Sequence, residues 1–410
     1  MMMRRITIVA LVIIMVTIIF FGTFKLLKQS PMGDEAGAAA ETAMIDHWLE
    51  QMSVADKVGQ MIIMTNNEQS VTDDFRRELL DVKPGGYILM VSNITTYAQT
   101  KQMLGELDRI SRQEYGIDDL PMILAVDEEG GNVQRLLYVE DKDATNIPYM
   151  YDIGAMNDDK VAYEIGRIIG EEVRSLGLNL TFAPSVDIVV SSDNTVIGRR
   201  SFGSDKDIVS EMASRVAAGV ESIGVGTAYK HFPGHGDATV DSHIELPIID
   251  KDWDELEDME LYPFQEAIDR GAEIIMVGHI AVGDREIPAS LDSKAILSML
   301  RKRMGFNGII ITDALNMGAV TSNYTNTEMA IMAVKAGEDI LLMPGNAGEA
   351  KSAIIDAITA GDISEDRINE SVRRILSYKS RRLSNFIPLD ENMFGSDAHK
   401  KIVQDIRDRI

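Results

Sequence analysis

At 410 residues, with 45% hydrophobic and 26% charged side chains, the chain has the composition of a folded globular protein of one large domain or two ordinary ones. A formal charge of −25 and a pI near 4.6 argue against nucleic acid as a partner, because phosphate contacts need a basic face, and leave anionic lipid without electrostatic pull. Having no cysteine excludes disulfides, thiolate metal sites and cysteine nucleophiles, and leaves the redox compartment open.

The chain opens with MMMRR, followed by ITIVALVIIMVTIIFFGTF from Ile6 to Phe24, a run of 19 uncharged residues. As a helix it would span about 28 Å, close to the hydrocarbon thickness of a bilayer. Lys25 and Lys28 follow directly, and the small-residue run Ala38 to Ala40 lies too far downstream to serve as a signal-cleavage site. These features predict an uncleaved membrane anchor over residues 1–28, with a transmembrane helix at about 6–24. Arg4 and Arg5 are balanced by Lys25 and Lys28 across the span, so charge does not set its orientation. QSPMGDEAGAAAETA, residues 29–43, reads as a linker, and 44–410 as the globular body.

From there, short apolar runs alternate with amphipathic segments. The runs are Met61–Met64, Gly86–Met90, Met122–Val126, Asn179–Ala183, Gly226–Lys230, Ile274–Val277, Gly308–Ile311 and Ile340–Met343. They are of strand length, rich in Ile, Val and Leu, and without strict alternation, as strands buried on both faces are. Between them, Tyr163, Ile165, Ile168, Ile169, Val173 and Leu176 form a helical stripe ended by Gly177. A second stripe, Ile208, Met212, Val216, Val220 and Ile223, follows Ser204-Asp205-Lys206-Asp207, which reads as a capping box with Ser204 at the N-cap. Helical patterns at 350–360 and 365–383 close the chain. Eight strands alternating with helices predict an α/β fold, a (β/α)8 TIM barrel with catalytic groups at the C-terminal strand ends. A doubly wound open sheet is the alternative, but no Gly-x-Gly-x-x-Gly follows the first strand.

Polar residues gather after these runs. VDEEGGNVQR follows the third and contains Asp127, Glu129 and Arg135; PSVDI and NTVIGRRSFG follow the fourth, with Asp187, Asn194 and Arg200. His279 follows the sixth run and Asp313 the seventh, in TDALNM. The fifth leads into KHFPGHGDATVDSH, which holds His231, His235 and His243 of the chain's six histidines. Any one of these, Asp187, Glu129 and His279 included, suits a loop brace as well as a catalytic role; their concentration at strand exits favours an active site. His231 and His235 have the i, i+4 spacing of a zinc-binding helix, with Asp237 or His243 to complete the shell, but Pro233 and Gly234 spoil the helical face.

VDEEGGNVQR, IGRRSFG, KHFPGHGDATVDSH and ITDALNM, in this order, resemble the signature segments of family 3 glycoside hydrolases, most closely the β-N-acetylglucosaminidase branch. The resemblance runs from DKVGQM at Lys57 to AGEDILLMP at Pro344. It implies a retaining exo-β-N-acetylglucosaminidase needing no cofactor, acting on N-acetylglucosamine-containing fragments such as those of peptidoglycan. Asp313 takes the family's nucleophile position, and His243, paired with Asp241, the acid/base position usually filled by a second carboxyl. Asp127, Arg135, Arg200, Lys230 and His231 take positions that bind the terminal sugar, while His235 has no clear assignment. With the anchor, this places a catalytic domain outside the cytoplasm on a single-pass membrane protein. A glycoside phosphorylase on the same scaffold, a metal-dependent hydrolase using the histidine cluster, and a non-catalytic sugar-binding protein are the competing readings.

Overall fold

The computed structural model of the protein describes residues 31–189, 194, 196–236 and 246–410. The described residues fall into two compact units divided between Glu50 and Gln51. A helix, Pro31–Gln51, occupies the stretch that composition reads as a linker. The expected membrane helix, Ile6–Phe24, lies outside the described residues. Among the described residues no helix is long and apolar enough to cross a membrane, so that part of the expected architecture has no support here.

The larger unit alternates short strands with helices. In chain order the strands are β1 (Ile62–Met64), β2 (Gly86–Leu89), β3 (Ile123–Val126), β4 (Glu128–Gly130), β5 (Val133–Gln134), β6 (Leu180–Thr181), β7 (Gly226–Thr227), β8 (Tyr229–Phe232), β9 (Ile248–Ile249), β10 (Ile274–Val277), β11 (Ala281–Val282), β12 (Ile309–Thr312) and β13 (Leu341–Leu342). Every residue of β1, β2, β3, β10 and β12 is buried, which is why these runs show no alternation.

The expectation of a regular eight-stranded barrel behind a membrane helix is corrected by the pairing. The parallel strands form two arcs, a six-stranded sheet β13-β1-β2-β3-β6-β7 and a three-stranded sheet β12-β10-β8. Among the described residues, isolated bridges at Ile311–Ile340 and Ser185–Lys230 span the gaps between the arcs. The physical reason lies in the fifth run. At Ala228 the backbone N–H is shared between the carbonyls of Thr181 and Ala183, at 3.2 and 3.1 Å, so the ladder stops after β7 and resumes as β8 with a new neighbour. Strands of two residues, as at β6, β7 and β13, leave little ladder to carry across such a break.

Helices Asp159–Leu176 and Lys206–Ser222 pack against each other outside the sheet. The first buries Ile165, Ile168, Ile169, Val173 and Leu176 and ends on Gly177, whose φ of 97° suits glycine. The second starts one residue later than the expected capping box. Asp205, not Ser204, is its N-cap, and its carboxylate accepts from the amides of Asp207 and Ile208. A carboxylate at that place also meets the positive end of the helix dipole. Gly166 and Gly219 lie at the crossing, where a Cβ would run into the backbone of the opposite helix.

Candidate active site

The C-terminal ends of the strands surround a cavity of about 290 Å³. Met90 comes from beyond β2, Asp127 and Glu129 from the exit of β3, Lys230 and His231 from β8, and Asp313 from the exit of β12. Arg135 and Arg200 reach it from loops. In a regular strand two successive side chains point to opposite faces. β8 pairs Tyr229 with Ile275 and Phe232 with Val277, so Lys230 and His231 together oppose the single residue Met276. This bulge lets both neighbours line the cavity. After β3, the pair Gly130-Gly131 turns the chain from β4 into antiparallel β5, with φ of 102° and 58°, and carries Arg135 back over the site.

Glu129 is the hub of the polar wall. Arg200 grips it with both arms of the guanidinium, Nε to Oε2 and Nη2 to Oε1, each at 2.8 Å. Lys230 Nζ lies 2.6 Å from the same Oε1 and donates to Asp127 Oδ1 at 3.1 Å. Burial opposes the charge on Glu129, but Arg200 and Lys230 outweigh it and hold the carboxyl well below the usual range. Burial likewise works against the Lys230 ammonium, and Glu129 and Asp127 overcome it and raise its pKa. Arg135 Nη2 stands 3.6 Å from Asp127 Oδ2, and its buried Nε has no hydrogen-bond partner among the described residues. The wall thus offers fixed donors and acceptors to a polar, uncharged ligand, and charge-assisted bonds are the stronger ones.

Asp187 organises the histidines from behind. It is fully buried, and its carboxylate meets His231 Nδ1 at 2.7 Å and accepts from the backbone N–H of His231 and of His235, at 3.2 and 2.6 Å. A carboxylate only accepts, so His231 carries its proton on Nδ1 and turns Nε2, 3.5 Å from Arg200 Nη2, toward the cavity. Burial opposes ionisation of Asp187, yet His231 and His235 bring its pKa below the ordinary value. His235 lines the cavity with its ring 6.1 Å from that of His231, and burial lowers its pKa. Asn194 ties this loop to the one bearing Arg200, donating to the carbonyls of His235 and Gly236 and accepting from the Ile197 amide.

Asp313 lines the same cavity. Burial raises the cost of its charge, but His231, His279, the Ala314 amide and Lys230 keep it ionised, with a lowered pKa. Its Oδ1 accepts from the Ala314 N–H at 2.8 Å. His279 Nε2 donates to the Ala314 carbonyl at 3.0 Å, so its Nδ1 accepts from Ser290 Oγ at 2.7 Å, and the ring pins the loop that carries Asp313. A half-buried, ionised carboxylate held in a fixed direction is a prepared nucleophile or charge stabiliser.

Six residues singled out in the sequence, Asp127, Arg135, Arg200, Lys230, His231 and Asp313, therefore line one cavity. His243 and Asp241 lie outside the described residues, as does Asp237. Among the described residues no group of three His, Asp or Glu side chains is arranged to hold a metal ion. His231 already commits Nδ1 to Asp187, and the segment between His231 and His235 is not helical. Sequence reasoning treated Glu129 and Asp187 as loop braces as readily as site residues. For Glu129 a signal existed, since it stands two residues from Asp127 and shares its face of an extended chain. Asn316 and Met317, also in the lining, carried no signal.

Comparison with known proteins follows the same lines. The glycosyl hydrolase family 3 N terminal domain matches residues 53–378. β-Hexosaminidase A of Pseudoalteromonas piscicida is 31% identical over 346 residues, which are 78% of this chain and 57% of that protein, so the chain spans little more than half of that relative. A β-hexosaminidase of Methylobacillus flagellatus is 30% identical over 293 residues, 70% of this chain and 80% of the relative. Among solved structures, a glycoside hydrolase family 3 β-N-acetylglucosaminidase from Paenibacillus sp. str. FPU-7 superposes with a TM-score of 0.80 at 34% identity, over 87% of this chain and 68% of that one. The β-glucoside phosphorylase BglX gives a TM-score of 0.79 at 26% identity, over 90% of this chain and 66% of that one. With the family's domain covering most of the described body, and its strand ends carrying this cavity, the chain belongs to glycosyl hydrolase family 3, whose members cleave glycosyl bonds.

Proposed function

We propose that the protein is a retaining exo-β-N-acetylglucosaminidase. The observation that carries this reading is the ionised, half-buried Asp313, which lines the same cavity of about 290 Å³ as the charged groups of Asp127, Glu129, Arg200, Lys230 and His231. That volume is at the small end of ligand pockets and suits one terminal sugar ring. The relatives named β-hexosaminidase support N-acetylhexosamine as that sugar.

In this mechanism the Asp313 carboxylate attacks the anomeric carbon as the glycosidic C–O bond breaks, and the leaving oxygen takes a proton from His243. Water then attacks the same carbon, His243 accepts its proton, and Asp313 departs; two inversions give net retention. Asp241 orients the His243 ring and stabilises its protonated form. Asp127, Arg135, Arg200, Lys230 and His231 hold the sugar hydroxyls and acetamido group while the ring distorts toward the transition state. Fragments of peptidoglycan are the substrates we favour, with the catalytic unit outside the cytoplasm, a location drawn from the uncharged stretch near the N-terminus.

The test is incubation of the purified protein with an aryl β-N-acetylglucosaminide and with a slow fluorinated analogue, followed by peptide mass spectrometry. Turnover with the label on Asp313 is expected; a label elsewhere, or none, overturns the mechanism. The likeness to BglX motivates a second arm with inorganic phosphate, in which release of a sugar 1-phosphate would replace hydrolysis by phosphorolysis. A third arm with chelator tests the metal-dependent reading, which loss of turnover would favour.

A further inference from the structure

Asp127 and Glu129 line the catalytic cavity, and in extended chain the side chain between them, that of Glu128, points to the other face. There it is 3% exposed and within electrostatic reach of Glu172 on the helix Asp159–Leu176. A carboxyl is costly in such a place unless it meets a donor. Across the hairpin Glu128 pairs with Gln134, and its Oε2 reaches further along to accept the backbone N–H of Leu136 at 3.0 Å. The N–H of Arg135 also favours its charged form. Leu136 opens the short turn Leu136–Tyr138, and the residue before that turn, Arg135, gives it no side-chain cap. Glu128 therefore holds the chain at the point where Arg135 leaves the hairpin.

Arg135 needs that hold. Arg200, the other arginine of the cavity, is fixed by two bonds of 2.8 Å to Glu129. The Arg135 guanidinium, among the described residues, has only the 3.6 Å ion pair with Asp127, and its Nε is buried without a hydrogen-bond partner. Its direction depends on its backbone. We propose that Glu128 is a positioning residue for Arg135, gripping the main chain at Arg135 and Leu136 so that the guanidinium stands ready for the terminal sugar. The inference rests on the glycosidase reading and deepens it. The grip changes with ionisation. Burial and the charge of Glu172 raise the Glu128 pKa to about 8, against the pull of the Leu136 and Arg135 amides and the Arg135 guanidinium. Behind Glu172 stands His399 of the helix Asp397–Arg407, at 3.1 Å, and beyond it Glu171 and Arg167. Ionised, Glu128 holds the amides with charge-assisted bonds; neutral, it is a weaker acceptor. Affinity for the sugar should therefore rise as pH rises through about 8.

The test measures kcat and KM for an aryl β-N-acetylglucosaminide, and inhibition by N-acetylglucosamine, from about pH 6 to about pH 9. It uses the native chain, Glu128→Gln, Glu128→Leu, Arg135→Ala, and Glu128→Leu combined with Arg135→Ala. In the native chain inhibition should strengthen about fivefold over that range. Glu128→Gln cannot ionise, and its affinity should stay flat. Glu128→Leu should raise KM about tenfold with kcat within about twofold, the mark of binding shared by ground and transition states. In the Arg135→Ala background the same change should cost nothing further, because the group it acts through is gone. Full additivity of the two changes, or a pH profile in Glu128→Gln that matches the native one, overturns the assignment while the glycosidase reading stands. If Glu128→Leu does not fold, the Glu128→Gln profile decides alone. A native chain that neither cleaves the aryl glycoside nor binds N-acetylglucosamine overturns both.

Discussion

Replacing Glu129 by glutamine tests whether the charged wall is built around that carboxylate. The change is nearly isosteric and removes one charge from between Arg200 and Lys230, which are mostly buried. Placed with its oxygen at the Oε1 position, the amide still accepts from Arg200 Nη2 and Lys230. Its NH2 group then faces Arg200 Nε, a donor against a donor, where the native contact is 2.8 Å. Breaking one partner of a buried ion pair costs about 3–5 kcal/mol, and with two of three contacts kept the lower figure applies. The glutamine variant should therefore unfold in urea with about 3 kcal/mol less stability at pH 7. Displacement of Lys230 and Arg200 should lower kcat/KM on an aryl glycoside by about a hundredfold. The pH dependence has a definite sign. The folded Glu129 pKa lies below its unfolded value, so its stabilisation is complete above the ordinary glutamate range and fades as pH falls below it. The deficit of the variant should accordingly be constant from about pH 6 to 8 and shrink below about pH 4. A variant within about 0.5 kcal/mol of the native chain at pH 7 would refute the hub.

Other perturbations probe separate parts. Asp313→Ala should remove nearly all turnover while leaving ligand binding by calorimetry largely intact, because the carboxylate acts as covalent bonding begins; loss of binding alone would count against it. His243→Ala should cripple glycosides of poor leaving groups and spare those of acidic phenols, and a loss independent of phenol acidity would remove His243 from the acid/base role. On the C-terminal helix Asp397–Arg407, His399 presents Nε2 to Glu171 at 2.6 Å and Nδ1 to Glu172 at 3.1 Å, and both ring nitrogens must donate. Burial opposes that charge but the two glutamates raise the pKa, so the clamp is complete below the ordinary histidine pKa and is lost as pH rises through the folded value. Hydrogen exchange over residues 397–407 should therefore quicken at alkaline pH in the native chain and be fast at every pH in His399→Ala. Glu338 is fully buried, both its oxygens lack hydrogen-bond partners among the described residues, and burial with Asp339 nearby raises its pKa well above normal. It favours the fold at low pH and loses that advantage as pH rises, so Glu338→Gln should match the native chain near pH 4 and exceed its stability at pH 8; equal stability at both would contradict a neutral Glu338.

Local chemistry made much of this protein legible in the sequence. Runs of Ile, Val and Leu without alternation mark strands buried on both faces, and a strand overlaps each of the eight. Gly177 ends its helix because a left-handed residue was needed there. Asp127, Lys230, His231 and Asp313 were visible because strand ends are where side chains of a parallel sheet can meet a ligand. These signals act over a few residues, within reach of a periodicity or a motif.

Tertiary structure decided whatever depends on partners far along the chain. Asp187 anchors the amides of residues 44 and 48 positions away, and Arg200 grips a glutamate 71 positions earlier. No local pattern separates such a buried anchor from a loop brace, since both are single acids after a strand. The N-cap at Asp205 in place of Ser204 turned on a one-residue difference in where the backbone becomes helical, which the sequence DKD next to serine leaves degenerate. The two-arc sheet depended on where Ala228 shares its amide, a competition between two carbonyls that exists only once β6 and its following turn are in place. Residue types and spacing determined which groups would stand at the strand ends; packing of distant segments decided which charges met, and so which carboxylate became the hub.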